Sequence, residues 1–404
     1  MSELREALEA APDDLGGAVV AEAIGPALGP YTAGAAILLG SIGLLTLGVM
    51  PVLFGALAES GRLSVAGIGR CAMLEALSMG ISAGLCGAVV SRPVKLREVA
   101  LVASLALAGF DLLSLFAGGW QVFAARGLAG LSEGVLLWIT VGMIARSETP
   151  DRWAGVFFTA MVSGQLALAL SYVVIIPHFG ANGGFVILAL AALLGIPASF
   201  YSPHAYAPLV QDESLSGAPP LRGWIALVAT LIFTSAAGAV GVYLQPMAHQ
   251  AGLSGDLARN ALWVSLVGQV MGGSIATALG GRVHWFTVFC FSTALLIGGW
   301  LVLISGPSAL LFALACGLTG LVSVLIGPFL VPMTIEADPT RRTAMQSGAT
   351  QIMAAALGPL LSSFVVSDAD VFGAVWLGSG LVVTGLALMA VMHVIALRER
   401  SRAQ

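Results

Sequence analysis

The sequence predicts an all-α membrane protein with twelve transmembrane helices in two pseudo-symmetric six-helix halves. Three observations predict it. Of 404 residues, 58% are hydrophobic and only 9% charged, whereas soluble domains carry about 25% charged residues. The mean hydropathy is +0.96, so too few charges exist to cover a water-facing surface. Apolar stretches of roughly 20 residues, the length that crosses a hydrocarbon core, follow one another with short polar breaks. Finally, Gly127-Leu128-Ala129-Gly130-Leu131 recurs as Gly317-Leu318-Thr319-Gly320-Leu321, and 317 minus 127 is 190.

Residues 1–32 hold Glu3, Glu6, Glu9, Asp13, Asp14 and Glu22 and no Lys. They lack the positive start of a signal peptide and read as a cytoplasmic N-terminal tail. The first half, 33–201, contains apolar spans near 33–56, 63–90, 99–117, 119–145, 153–176 and 183–201. A polar stretch, 202–222, reads as a cytoplasmic linker. The second half, 223–397, contains spans near 223–247, 256–280, 284–305, 307–335, 343–366 and 371–397, and 398–404 form a cytoplasmic tail. Helices are required because lipid offers no partner for backbone groups, and a barrel would show short alternating segments that are absent here. Pro51, Gly84, Pro197, Pro246, Gly358 and Pro359 inside spans do not contradict this, since membrane helices tolerate both residue types.

Orientation follows from the basic loops. Arg92, Lys95, Arg97, Arg146, Arg152, Arg222, Arg282, Arg341 and Arg342 fall on one side, and only Arg62 and Arg259 on the other. The Lys/Arg-rich side is cytoplasmic, which places both termini inside and suits a bacterial inner membrane. Trp153, Trp224 and Trp285 at inner ends and Trp120 at an outer end fit an interfacial belt. Neither the net charge of −4 nor its distribution suggests nucleic acid. Cys71, Cys86, Cys290 and Cys316 lie in apolar stretches without metal-type spacing and read as unpaired packing residues; the five histidines are scattered, so neither a metal site nor a cofactor is expected.

The 190-residue offset also relates Leu63-Ser64 to Leu253-Ser254, Arg92 to Arg282, and Arg152 to Arg342. A constant offset across separated landmarks indicates duplication, and two parallel six-helix halves with a solute site between them are a transporter architecture. On these features the chain resembles the major facilitator superfamily over essentially its whole length. Arg126, Gly130 and Gly134 in RGLAGLSEG look like the superfamily's Arg-xxx-Gly pattern of the fourth helix. Arg92, Lys95 and Arg97 supply the usual basic loop after the second helix, without its usual aspartate. The Gly-Pro signature of proton antiporters is absent around Gly164 and Gln165, while Gly358-Pro359 sits in the eleventh span. The resemblance implies a monomeric secondary active transporter that moves a small organic solute by alternating access.

Five charged side chains fall inside the spans of the first half: Arg70, Glu75, Asp111, Arg126 and Glu133. Their counterparts at the 190 offset are Asn260, Ser265, Leu301, Cys316 and Ser323, none charged. A charge at the bilayer centre costs about 3 kcal/mol even on a lenient scale, so function is the default reading. At about 1.5 Å per residue, Arg70, Arg126 and Asp111 lie roughly 10 Å from the outer end, and Glu75 and Glu133 about 18 to 21 Å from it. An outer cluster of Arg70, Arg126 and Asp111 is therefore expected, with Arg126 and Glu133 on one helix face.

Glu133, with Asp111 or Glu75, is the candidate proton carrier and Arg126 the group that sets its affinity, because burial favours the neutral acid and a guanidinium favours the carboxylate. The plain alternative is a permanent Asp111 pair with Arg126 or Arg70. Arg70 could instead hold an anionic substrate, with Asn260 at the matching position. Gln165, Gln245, Gln269 and Gln351 are further substrate-binding candidates. With no phosphate loop for nucleotide hydrolysis, the expected energy source is a proton gradient. Uptake by symport and efflux by antiport both stay open. So does a non-transporting sensor or assembly factor, whereas no hydrolase motif suggests an intramembrane enzyme.

Overall fold

Leu and Ala with few polar residues leave the backbone one way to satisfy itself in lipid, and every regular element among the described residues is a helix. The computed structural model describes residues 29–89, 95–145, 150–205, 219–279, 282–338 and 342–403. Most of the N-terminal tail and of the linker, together with Arg92, Arg146 and Arg341, lie outside the described residues. The helices are α1 (Pro30–Gly43), α2 (Leu45–Glu59), α3 (Val65–Val89), α4 (Leu96–Leu113), α5 (Trp120–Ala145), α6 (Pro150–Leu193) and α7 (Gly195–Tyr201). Then follow α8 (Leu221–Gly241), α9 (Leu244–Gln250), α10 (Gly255–Leu279), α11 (Trp285–Ile304), α12 (Ala309–Leu325), α13 (Gly327–Ala337), α14 (Arg342–Ser362) and α15 (Gly373–Ala403).

Four expected spans are broken, among them the sixth, at Leu194 between α6 and α7. The first breaks at Leu44, whose carbonyl accepts from Gln165 Nε2 at 2.7 Å. The seventh breaks at Val242 and Tyr243, where Pro246 lacks the N–H that would return to Val242. The tenth bends by 40° between α12 and α13, where Pro328 lacks the N–H for Val324. The last helix continues to Ala403, into the expected tail.

By length and composition, seven of the described helices can cross a membrane, or eight if α12 and α13 count as one span. One of these is the 47-residue run Gly155–Tyr201. It folds back at Gly180, whose φ of 61° favours glycine. The Tyr172 hydroxyl donates to Gly184 O at 3.0 Å, although twelve residues of straight helix would separate them by about 18 Å. α4, with Arg97, Glu98 and Asp111 in 18 residues, is not among the seven, nor are the more polar α10 and α14.

The sequence repeat has a structural counterpart. α3 and α10 have the same bounds once shifted by 190 residues. A Cβ on Gly130 would meet the Glu75 carbonyl, and one on Gly320 would meet that of Ser265. Gly127 faces Leu74 as Gly317 faces Val264. The GLAGL and GLTGL glycines thus let α5 touch α3, and α12 touch α10, at equivalent points.

Helix ends collect on two faces. On the linker face, Leu96 N donates to His204 O at 3.0 Å and Arg97 Nε to Ser202 O at 3.1 Å. On the far face, Arg62 donates to Ala117 O at 2.8 Å, to Asn182 Oδ1 at 2.7 Å and to Ser114 O. Partial burial lowers the Arg62 pKa by desolvation, and it remains a cation because arginine starts far above neutrality. Trp120 and Trp224 are exposed, as a belt requires, but Trp285 is 3% exposed and donates to Glu336 Oε2 at 3.1 Å. It is a packed hydrogen-bond donor, not an interfacial anchor.

Candidate functional site

Arg126 is the largest buried cation, and three helices besides its own supply its partners. The close approach allowed by Gly130 sets α5 against α3, bringing Arg126 to Glu75. Arg126 Nε donates to Glu75 Oε2 at 2.9 Å and NH2 donates to Glu75 Oε1, a two-pronged pair. NH1 donates to Asp111 Oδ1 on α4 at 2.6 Å. Glu133, two turns on along α5, lies 3.6 Å from NH2. Its Oε1 accepts from Thr46 Oγ1 at 2.9 Å, and Thr46 sits just past the break between α1 and α2. The Phe185 ring, on α6 beyond Gly180, lies 5.6 Å from the guanidinium carbon, within cation–π range.

None of these charged side chains is more than 2% exposed. One guanidinium faces three carboxylates, so full ionisation would leave two uncompensated negative charges in a dry site, a cost of several kcal/mol each. The guanidinium donors are committed chiefly to Glu75 and Asp111, with a longer 3.5 Å contact from NH2 to Thr46 Oγ1. Glu133 is the carboxylate they satisfy least, held mainly by the neutral hydroxyl of Thr46.

The other candidates are dispersed. Arg70 is exposed on α3, on the stripe that holds Leu77, Ile81 and Leu85, and does not join Asp111 and Arg126. Asn260 is exposed and accepts from Trp263 Nε1 at 3.3 Å. Gln165 is buried against the α1/α2 break. Gln269 is half-buried, and Gln351 is exposed with Nε2 near Ser347 O at 3.4 Å. Gln245 is 1% exposed; its Nε2 donates to Glu59 Oε1 at 2.7 Å, while its Oε1 has no partner among the described residues.

Gln245 belongs to a second constellation that sequence reasoning missed. At the far face, Glu59 at the end of α2 meets His249 Nε2 on α9 at 2.5 Å. Val65 N donates to Asp368 Oδ1 at 3.0 Å, and Gly69 N to the Tyr243 hydroxyl at 3.1 Å. Glu59, His249 and Asp368, with Gln245 and Gln250 among others, line a cavity of about 410 Å³. A signal was available: 249 minus 59 is again 190. Thr46 was missed for a different reason, since a lone hydroxyl in an apolar run carries no pattern.

No known family profile and no curated protein matches the sequence. Solved structures do match in fold. The nucleoside transporter NupG is 12% identical, with a TM-score of 0.70 over 90% of this chain and 99% of that one. A point mutant of NupG gives 0.69 over 89% and 99%, also at 12% identity. A bacterial homologue of the human lysosomal transporter Spinster, inward-facing and unoccupied, is 12% identical, with a TM-score of 0.65 over 91% and 97%. This chain has the fold of these solved transporters.

Proposed function

We propose that this chain, with its major facilitator fold, is a secondary active transporter that carries a small organic solute by alternating access, coupled to protons. In this reading residues 33–201 and 223–397 are the two six-helix halves of a twelve-crossing, monomeric inner-membrane carrier. In it the linker and both termini are cytoplasmic, a placement that the basic residues of the linker face support. The observation that carries it is the Arg126 cluster. At the offset of 190, Cys316 stands for Arg126 and Ser265 for Glu75, yet Gly320 still packs on the Ser265 carbonyl. Helix packing therefore does not need these charges, and a retained buried charge group is a functional feature.

Protons are the smallest species that could balance three carboxylates against one guanidinium. Glu133 is the proposed carrier, with Glu75 and Asp111 holding Arg126 in place. α2 supplies the coupling: Thr46 at its start holds Glu133, and Glu59 at its end holds the second half through Gln245 and His249. Parting of the halves at the far face would pull α2, shift Thr46 and change how readily Glu133 keeps a proton. The unpartnered Gln245 Oε1 makes it the foremost of the amide candidates for solute contact.

Metabolite levels in cells and medium, compared between strains lacking and overproducing the protein with the proton gradient intact and collapsed, test the reading. Gradient-dependent gain of one compound in the cells means import and names the substrate; loss to the medium means export. No solute-dependent flux, in cells or in liposomes, would leave a sensor or assembly role and overturn the proposal.

A further inference from the structure

We propose that His284, Glu336 and His393 form a divalent-metal site, suited to Zn²⁺, on the linker face of the second half. The three residues come from three helices: His284 caps the start of α11, Glu336 lies near the end of α13, and His393 is on α15. Their ligating atoms all lie within 4.8 Å of one another. His393 Nδ1 is 2.9 Å from Glu336 Oε1, and His284 Nε2 is 3.6 Å from Glu336 Oε2. A tetrahedral ion with bonds of about 2.0–2.2 Å holds its ligand atoms about 3.3 Å apart. The two His–Glu separations, one to each carboxylate oxygen, bracket that spacing, so side-chain adjustments within the 4.8 Å group would gather the three donors around one ion.

Two imidazoles and one carboxylate are a donor set that zinc accepts, with the fourth position left to water. Neutral imidazole also favours late first-row ions over Mg²⁺ or Ca²⁺. The outer shell is in place. Trp285 Nε1 donates to Glu336 Oε2 at 3.1 Å and fixes the carboxylate. The His393 ring stacks on Phe286 at 5.0 Å and meets Trp285 edge-on at 5.3 Å. Side-chain exposure grades from 9% at Glu336 and 16% at His393 to 45% at His284, which leaves an open side for the ion to arrive.

In the metal-free arrangement the ring protons occupy the place of the ion. His284 Nδ1 accepts from Phe286 N at 3.2 Å, so its proton sits on Nε2 and points at Glu336. Metal binding requires each neutral ring to move its proton to the other nitrogen. At His393 this changes nothing else shown here; at His284 it exchanges the helix cap for a metal bond. No charge is lost from the rings and no redox step is involved. The ion would pin α11, α13 and α15 to one another at the linker face.

The test is equilibrium dialysis of the purified, chelator-stripped full chain against Zn²⁺, with Co²⁺ as an optical probe. The expected result is one saturable ion per chain and a Co²⁺ spectrum without the sulfur-to-metal band that binding at the free cysteines would give. His284→Gln, on the exposed ring, and His393→Gln should each weaken binding at least tenfold, and Trp285→Phe about 10- to 100-fold, as outer-shell changes do. Should His393→Gln fail to fold, His284→Gln decides. Absence of saturable binding, a thiolate spectrum, or unchanged affinity in His284→Gln would overturn the site.

Discussion

Glu59 and His249 are 190 residues apart, the offset that relates the two repeats, and their side chains meet at 2.5 Å. Contact between equivalent positions of two copies occurs only at the axis that relates them. Gly55 and Gln245, also 190 apart, touch there too: a Cβ on Gly55 would lie 3.0 Å from the Gln245 Cβ. The far face is thus closed along its symmetry axis, where any opening between the halves must begin.

That geometry predicts a reversible lock. A disulfide spans about 3.5–4.5 Å between Cβ atoms, so Gly55→Cys with Gln245→Cys needs a shift of only about half an ångström. Oxidation should abolish solute flux in vesicles and a reductant should restore it. Undiminished flux in the oxidised double variant would mean that this contact never opens during transport.

Coupling should fail when Glu133 can no longer carry a proton, and shift in pH when it loses its hydroxyl partner. Glu133→Gln is expected to cut gradient-driven accumulation at least tenfold while solute counterflow persists, because exchange needs no net proton movement. Thr46→Val removes the donor at 2.9 Å and should shift the pH dependence of uptake with little change in counterflow. Wild-type coupling in Glu133→Gln would pass the role to Asp111 or Glu75.

Much of this was legible in the sequence because the bilayer dictates it: about 20 apolar residues must be helical, and helices, whole or broken, occupy most of each expected span. The Arg126–Glu133 relation was legible for the same reason, since a seven-residue spacing puts both on one face. What could not be read was which faces meet. Arg70 and Arg126 share a depth, yet only Arg126 turns inward, because Gly130 rather than depth decides how α5 seats on α3. His284, Glu336 and His393 looked scattered because their spacing is set by helix lengths and not by any local motif.

Arg126 should not tolerate lysine. Its fork holds Glu75 with two donors and Asp111 with a third, whereas an ammonium is a single point of charge on a shorter reach. Breaking such a buried pair costs about 3–5 kcal/mol. Arg126→Lys should therefore lower the thermal unfolding midpoint in detergent. Arg126→Lys combined with Glu75→Gln should recover part of the loss, since one stranded carboxylate is removed. A midpoint for Arg126→Lys equal to wild type would show that the cluster contributes nothing to the fold.

The repeat offers a control within one molecule. Gly130→Ala would drive a methyl into the Glu75 carbonyl, and Gly320→Ala would do the same at Ser265. Each overpacks one close helix pair and should destabilise the chain by about 1–3 kcal/mol, measured as matched drops in unfolding temperature. Only Gly130→Ala moves the α3 backbone that carries Glu75 against Arg126. It alone should uncouple flux from the proton gradient, whereas Gly320→Ala should leave the ratio of protons to solute unchanged. Equal uncoupling by both would mean that helix spacing, and not the charge cluster in the first half, sets the coupling.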